Sequence, residues 1–89
     1  MKHSIEVELG VAEIMTADWS MSGRWGKQEH VQFLTTEGEL REFSTEEEFV
    51  NSLPSNSKRY WIGHVDHDQI GRNGHRFETR NTYKVVQVL

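Results

Sequence analysis

From Ile5 to Trp19 the chain alternates. The odd positions are Ile5, Val7, Leu9, Val11, Glu13, Met15, Ala17 and Trp19, apolar except for Glu13. The even positions are Glu6, Glu8, Gly10, Ala12, Ile14, Thr16 and Asp18, mostly acidic or small. Successive side chains leave a strand on opposite faces, so this period predicts a half-buried β-strand with its odd face on the core. The run is about fifteen residues long, against a usual five or six. It therefore predicts a bend near Gly10 or Glu13, or two strands sharing one run.

The remaining pattern supplies a sheet and a cover. Ser20 to Lys27 breaks the alternation with two glycines and predicts a hairpin loop, with Trp25 at its tip. Glu29 to Thr36 alternates again, with Val31, Phe33 and Thr35 on one side. Glu37-Gly38 is a tight turn, and Glu39 to Phe43 a short third strand. Ser44 with Glu47, or Thr45 with Glu48, makes a capping box that opens a helix. Three glutamates in its first turn suit the positive end of the helix dipole. Phe49, Val50 and Leu53 share one face, and Pro54 ends the helix after two to three turns. Lys58 to Asp66 predicts a fourth strand, His67 to His75 a loop, and Arg76 to Leu89 a last strand. Val85 to Leu89 is apolar on both faces, as a central strand would be. Trp19 and Trp61 fall within strand patterns and are expected in the core.

The fold expected is α+β. Residues 1–89 form a single small domain, a curved and mainly antiparallel sheet in the order β-β-β-α-β-β. One short helix packs on a sheet that is near closing into a barrel. An edge of such a sheet can accept a strand from another chain, so both a monomer and a homodimer are expected forms.

Composition narrows the function. The chain has 89 residues, nine of them aromatic, and no cysteine. That excludes a disulfide scaffold, a thiol nucleophile and a cysteine-ligated metal, and fits a cytoplasmic setting. No signal peptide is expected, because the first residues carry Glu6, Glu8 and Glu13 and lack an apolar block. No run approaches the ~18 apolar residues of a membrane span. Net charge is −4, unevenly placed. Residues 1–50 hold four Lys/Arg against eleven acids, and residues 51–89 hold six against three.

Several clusters are candidates for chemistry. Glu37, Glu39, Glu42, Glu46, Glu47 and Glu48 crowd one turn, one strand and one helix start. Such an acidic surface can imitate nucleic-acid phosphates or dock on a basic groove. Trp25 stands apart from the alternating pattern, and tryptophan is enriched at binding hot spots. Lys58, Arg59, Arg72 and Arg76, with Tyr60, Trp61, Asn73, His75 and Phe77 nearby, suggest a basic surface with aromatics for nucleic acid. His64, Asp66, His67 and Asp68, with His75 close by, offer donors for Zn²⁺ or Mn²⁺. A second ligand segment would have to come from His3 or His30. Asp66, Asp68 and Gly71 fall at positions 1, 3 and 6 of a calcium loop, but Ile70 and Phe77 stand where oxygen donors are required. The stretch from Trp25-Gly26-Lys27 through Phe43-Ser44 and the following helix resembles the Trp-Gly-Arg domain of some DNA-damage enzymes. Lys27 replaces that arginine and the helix is acidic, so no membership is assigned. No nucleophile elbow, P-loop, His-Glu-x-x-His or dinucleotide fingerprint is present.

The expectation is a non-enzymatic protein-binding module with no cofactor. It would act as an inhibitor of the phage or immunity type, occluding a basic and nucleic-acid-binding site on a partner protein. Trp25, Glu37, Glu39, Glu42, Glu46 and Glu47 would make the contact. The alternatives are nucleic-acid binding through Lys58, Arg59, Arg72 and Arg76, and a metal-dependent activity at residues 64–68.

Overall fold

The computed structural model describes residues 4–72 and 74–89. The elements are β1 (Glu6–Met21), β2 (Arg24–Thr35), β3 (Leu40–Phe43), α1 (Glu46–Ser52), β4 (Ser57–Gly71) and β5 (Gly74–Val88). The five strands make one sheet in the order β3-β2-β1-β5-β4, and every neighbouring pair is antiparallel. The element order is the expected one. The sheet stays open, with β3 and β4 as its edges.

The expected bend is a β-bulge. The register of β1 against β5 slips between Glu8 and Gly10, which leaves Leu9 as the extra residue. One extra residue inverts the parity of everything after it. The even residues Ala12 and Ile14 are therefore the buried ones, and Val11 lies exposed on the other side. This reverses the expected odd core face beneath the helix, while odd Ala17, farther along on the reverse face, is buried too. Gly10 permits the slip. Its φ is +154°, and an added Cβ would stand 2.2 Å from the Leu34 carbonyl oxygen.

The helix follows from its cap. Thr45 is the N-cap, its hydroxyl accepting from the Glu48 amide at 3.1 Å, while Glu48 Oε2 accepts from the Ser44 amide at 3.1 Å. The helix places Phe49 between Phe33 and Phe43, with ring centroids 5.3 and 5.6 Å apart. Val50, expected on the inner side, is exposed. Around Phe49 lie Ala12, Ile14, Val31, Phe33 and Val85, with Leu9, Leu53 and Tyr83 at the margin. Val85 and Val86 are both buried, as expected of an interior strand.

This core is short compared with the strands. A helix of seven residues spans about 10 Å. The sixteen residues of β1 run about 53 Å. The molecule measures 59 × 25 × 20 Å, and its radius of gyration is 16.3 Å where a compact chain of this length would have about 12 Å. The helix-covered base is continued by two long hairpins lying side by side, with no helix on either face.

Both expected loops become strand. Ser22 and Gly23 have φ of 49° and 80°, the positive pair of a type I′ turn, so β1 and β2 stay paired up to Met21 and Arg24. Trp25 thus sits within β2 opposite Ser20, not at a loop tip. The segment expected as a loop at 67–75 is paired strand up to Gly71 opposite Gly74. Trp19 and Trp61, expected in the core, lie outside it at 38% and 57% exposure. Both stand on stretches of sheet the short helix does not cover.

Candidate protein-binding surface

The ladder fixes which side chains stand together, because directly opposed residues share a face. On the helix-bearing face, beyond the core, each row crosses β2, β1, β5 and β4 in turn. One row is Glu29, Thr16, Thr79 and Asp66. The next is Lys27, Asp18, Phe77 and Asp68, and the last is Trp25, Ser20, His75 and Ile70. The tip row carries the two most exposed large apolar side chains among the described residues, Ile70 at 82% and Trp25 at 72%. Three strand spacings set them about 14 Å apart. Behind them stand Asp18, Asp66 and Asp68, with Lys27 beside Asp18, His64 near Asp66 and His75 against Asp68. Asp18 Oδ1 is buried without a hydrogen-bond partner. Such an atom is costly and uncommon in a native chain.

The reverse face has a different character. Glu78 takes the Arg80 guanidinium at 2.8 Å and that of Arg76 at 3.0 Å, and Arg80 also reaches Glu13 at 3.3 Å. The Arg80 hydrogen bond holds the Glu78 carboxyl below its ordinary value, aided by the Arg80 and Arg76 charges. The same bond raises Arg80. Trp19 folds its indole over Gly26, where an added Cβ would lie 2.0 Å from the ring. Beside it runs an open groove of about 810 Å³, lined by Trp19, Met21, Gln28, Gln69, Gly74 and Arg76. At the base of this face the Tyr60 hydroxyl donates to Glu6, which raises the phenol.

The acidic cluster is largely occupied internally. Glu46 pairs with Arg59 at 2.8 Å, Glu39 with Arg41 at 3.3 Å, and Glu42 accepts from Gln32 at 3.2 Å. Glu47 lies exposed in the first turn of α1, and Glu37 sits in the turn before β3. All five belong to the base. Glu39, bonded to Thr35, lies ten residues of β2 from Trp25, about 33 Å, and Glu42, opposite Gln32, about 23 Å. Glu46, whose amide donates to Glu29 at 2.7 Å, comes nearest, since Glu29 is about 13 Å from Trp25 on the same face.

The basic residues are dispersed as well. Arg59 lies on the helix face, 5.5 Å over the Tyr83 ring, and Lys58 faces the reverse side. Arg76 is on the reverse face near the tip, and Arg72 is in the β4–β5 turn. Base and tip are separated by roughly 40 Å of strand. Asn73 lies outside the described residues.

His64, Asp66 and Asp68 do share one face, as a strand requires, and His67 points the other way. His64 stands 3.5 Å from Asp66, and His75 contacts Asp68. These are two separate pairs, and among the described residues no three such side chains form a metal-ligand group. His30 is on the reverse face, and His3 lies outside the described residues.

The tip row was hidden from sequence reading by the loop assignments at 20–27 and 67–75. The signal that could have found it is length: two turns of helix cannot cover strands this long. Among the described residues, no helix is long and apolar enough to cross a membrane. The chain matches no protein-family model, no curated protein and no solved structure.

Proposed function

We propose that the chain is a non-enzymatic protein-binding module that meets its partner with the tip of the helix-bearing face. The carrying observation is the tip row, where Trp25 and Ile70 stand exposed on a four-stranded platform. Large rigid apolar anchors with a polar surround are the usual anatomy of a protein interface. The surround here is acidic, from Asp18, Asp66 and Asp68, which favours a partner with an apolar patch rimmed by Lys or Arg. The expected basic partner is thus retained, with these aspartates in the place of Glu37 to Glu48. Binding occludes the basic surface that the tip covers, so an inhibitory action in the cytoplasm is the form the reading takes.

The test is capture from host lysate by the intact chain and by a Trp25→Ala/Ile70→Ser variant, each with and without nuclease. One dominant protein that survives nuclease and is lost by the variant is the expected result. Capture that collapses on nuclease treatment, or that the variant retains, overturns the reading.

A further inference from the structure

We infer that two copies of the chain pair through β4, edge to edge and antiparallel, with the two-fold axis running through the bulge of that strand. The inference stands apart from the tip surface. β4 is an outer strand over all of Ser57–Gly71, with no strand beyond it among the described residues. An outer strand of this length offers its unpaired amides and carbonyls to another strand. It also carries Tyr60, Trp61 and Val65 exposed.

The bulge selects the register. β4 slips against β5 between Trp61 and Gly63. Before the slip the odd residues Arg59 and Trp61 are on the helix face, and after it the even residues His64, Asp66 and Asp68 are. A junction that spans the bulge keeps matching faces only where an odd residue before the slip in one copy meets an even residue after it in the other. The two-fold of such a junction therefore falls between two residues, at the bulge. With the axis between Ile62 and Gly63, Arg59 of one copy stands opposite Asp66 of the other. Trp61 then opposes His64 on the same face. Tyr60 opposes Val65 and Lys58 opposes His67 on the reverse face. A bulge commonly blunts an edge, but here two identical bulges meet at the axis and the register is regular on either side.

Charge argues for the same junction. Arg59, which holds Glu46 of its own chain at 2.8 Å, and Asp66, 3.5 Å from His64, stand opposed across the junction, an opposite-charge pair made twice by the symmetry. A two-fold at His67, confined to the outer half of β4, would set Asp66 against Asp68. On the opposite side β3 offers only four residues, and Arg24 to His30 of β2 is outer as well, since β3 covers only Val31 to Leu34. A two-fold at the centre of that β2 stretch would set Lys27 against Lys27. The β4 junction makes a continuous ten-stranded sheet from two five-stranded ones. It sets Ile70 opposite Ser55 of the other copy at each end of the junction and leaves Trp25 on β2, three strands away.

The test uses purified chain, with no partner present. Light-scattering mass is followed from about 1 μM to about 500 μM. The expected mass rises toward 20.8 kDa, twice the 10.4 kDa of one chain. Asp66→Arg and Arg59→Asp each hold the chain at single mass over that range, and the double exchange restores the dimer. The rescue reports contact between copies, because within one chain these residues are about 23 Å apart along the strand. Asp66 is half exposed and outside the core, and circular dichroism verifies that each variant is folded. The register is read separately by Tyr60→Cys/Val65→Cys in a chain without native cysteine. Oxidation links two copies covalently, whereas within one chain the two positions lie about 16 Å apart, well past the ~7 Å limit for a disulfide. A chain that stays at single mass throughout overturns the inference. So does a dimer that Asp66→Arg leaves intact, or one in which the cysteine pair does not link. None of these results touches the lysate test, which stands or falls on Trp25 and Ile70.

Discussion

Gly10 and Gly23 both have positive φ, yet they do different work. Gly10 lies against the Leu34 carbonyl inside the sheet, while nothing stands within 4 Å of the position a Gly23 Cβ would take. Gly10→Ala must move the backbone of β2, and a loss of at least about 2 kcal/mol is expected. Gly23→Ala meets only the intrinsic cost of the left-handed conformation, about 1 kcal/mol. Paired urea denaturation curves check the order, and equal midpoints would contradict it. Glu78 makes a second prediction at this scale. Its carboxyl is held below the ordinary 4.5 by the Arg80 hydrogen bond, so the native state binds its proton less readily than the unfolded chain. The resulting stabilisation is present above that ordinary value and is lost as pH falls through the lowered one. Urea midpoints measured from about pH 6 to about pH 3 should decline less steeply in Glu78→Gln than in the parent.

The elements show what a one-dimensional pattern can and cannot carry. The cap at Thr45 and Glu48 and the stop at Pro54 were legible because they act within a few residues. So was the alternation of Val31 and Phe33. The bulge at Leu9 was half legible. Gly10 marked the place, but parity counted along the chain ran straight through it and assigned Ala12 and Ile14 to the wrong side. Ser22-Gly23 is a weaker turn signal than Asn-Gly, and reading it as a wide loop took Trp25 out of its strand. Trp19 and Trp61 were misplaced for a different reason. Alternation shows that a residue has a face and says nothing of whether that face is covered. The cover is a single seven-residue helix, and one side chain anchors it. Phe49→Ala removes that anchor from between Phe33 and Phe43, and a loss of about 3–5 kcal/mol is expected. Thermal unfolding checks it, with early loss of the helical signal before the strand signal as the accompanying sign.

At the scale of the whole molecule, stability is expected to be graded along the strands. Amides of the base sit beside Phe49, Val31 and Val85, whereas beyond Thr16 and Thr79 Ala17 is the one buried hydrophobic among the described residues. Local opening costs least where few apolar contacts must break. Native-state hydrogen exchange should therefore show the slowest amides at Ile14, Val31 and Val85 and progressively faster ones toward Ser20 and His75. Uniform protection from base to tip would contradict this. The candidate site was legible only in fragments. Trp25 was singled out as a contact residue, while Ile70 and the aspartates beside it reached the same surface through a strand pairing that no local motif announces.

The bare tip has one more implication, for how such a chain can change over time. Residues beyond Thr16 and Thr79 hold their places through main-chain ladders and cross-strand neighbours, with little interior to fill. Exchanges there, at Trp25, Lys27, Asp68 or Ile70, alter what the surface presents while leaving Phe49 and its ring of contacts untouched. The base is constrained by volume, whereas beyond it close packing is confined to Ala17 and the contact of Trp19 with Gly26 among the described residues. A lineage can thus change what the tip displays while the scaffold beneath stays the same.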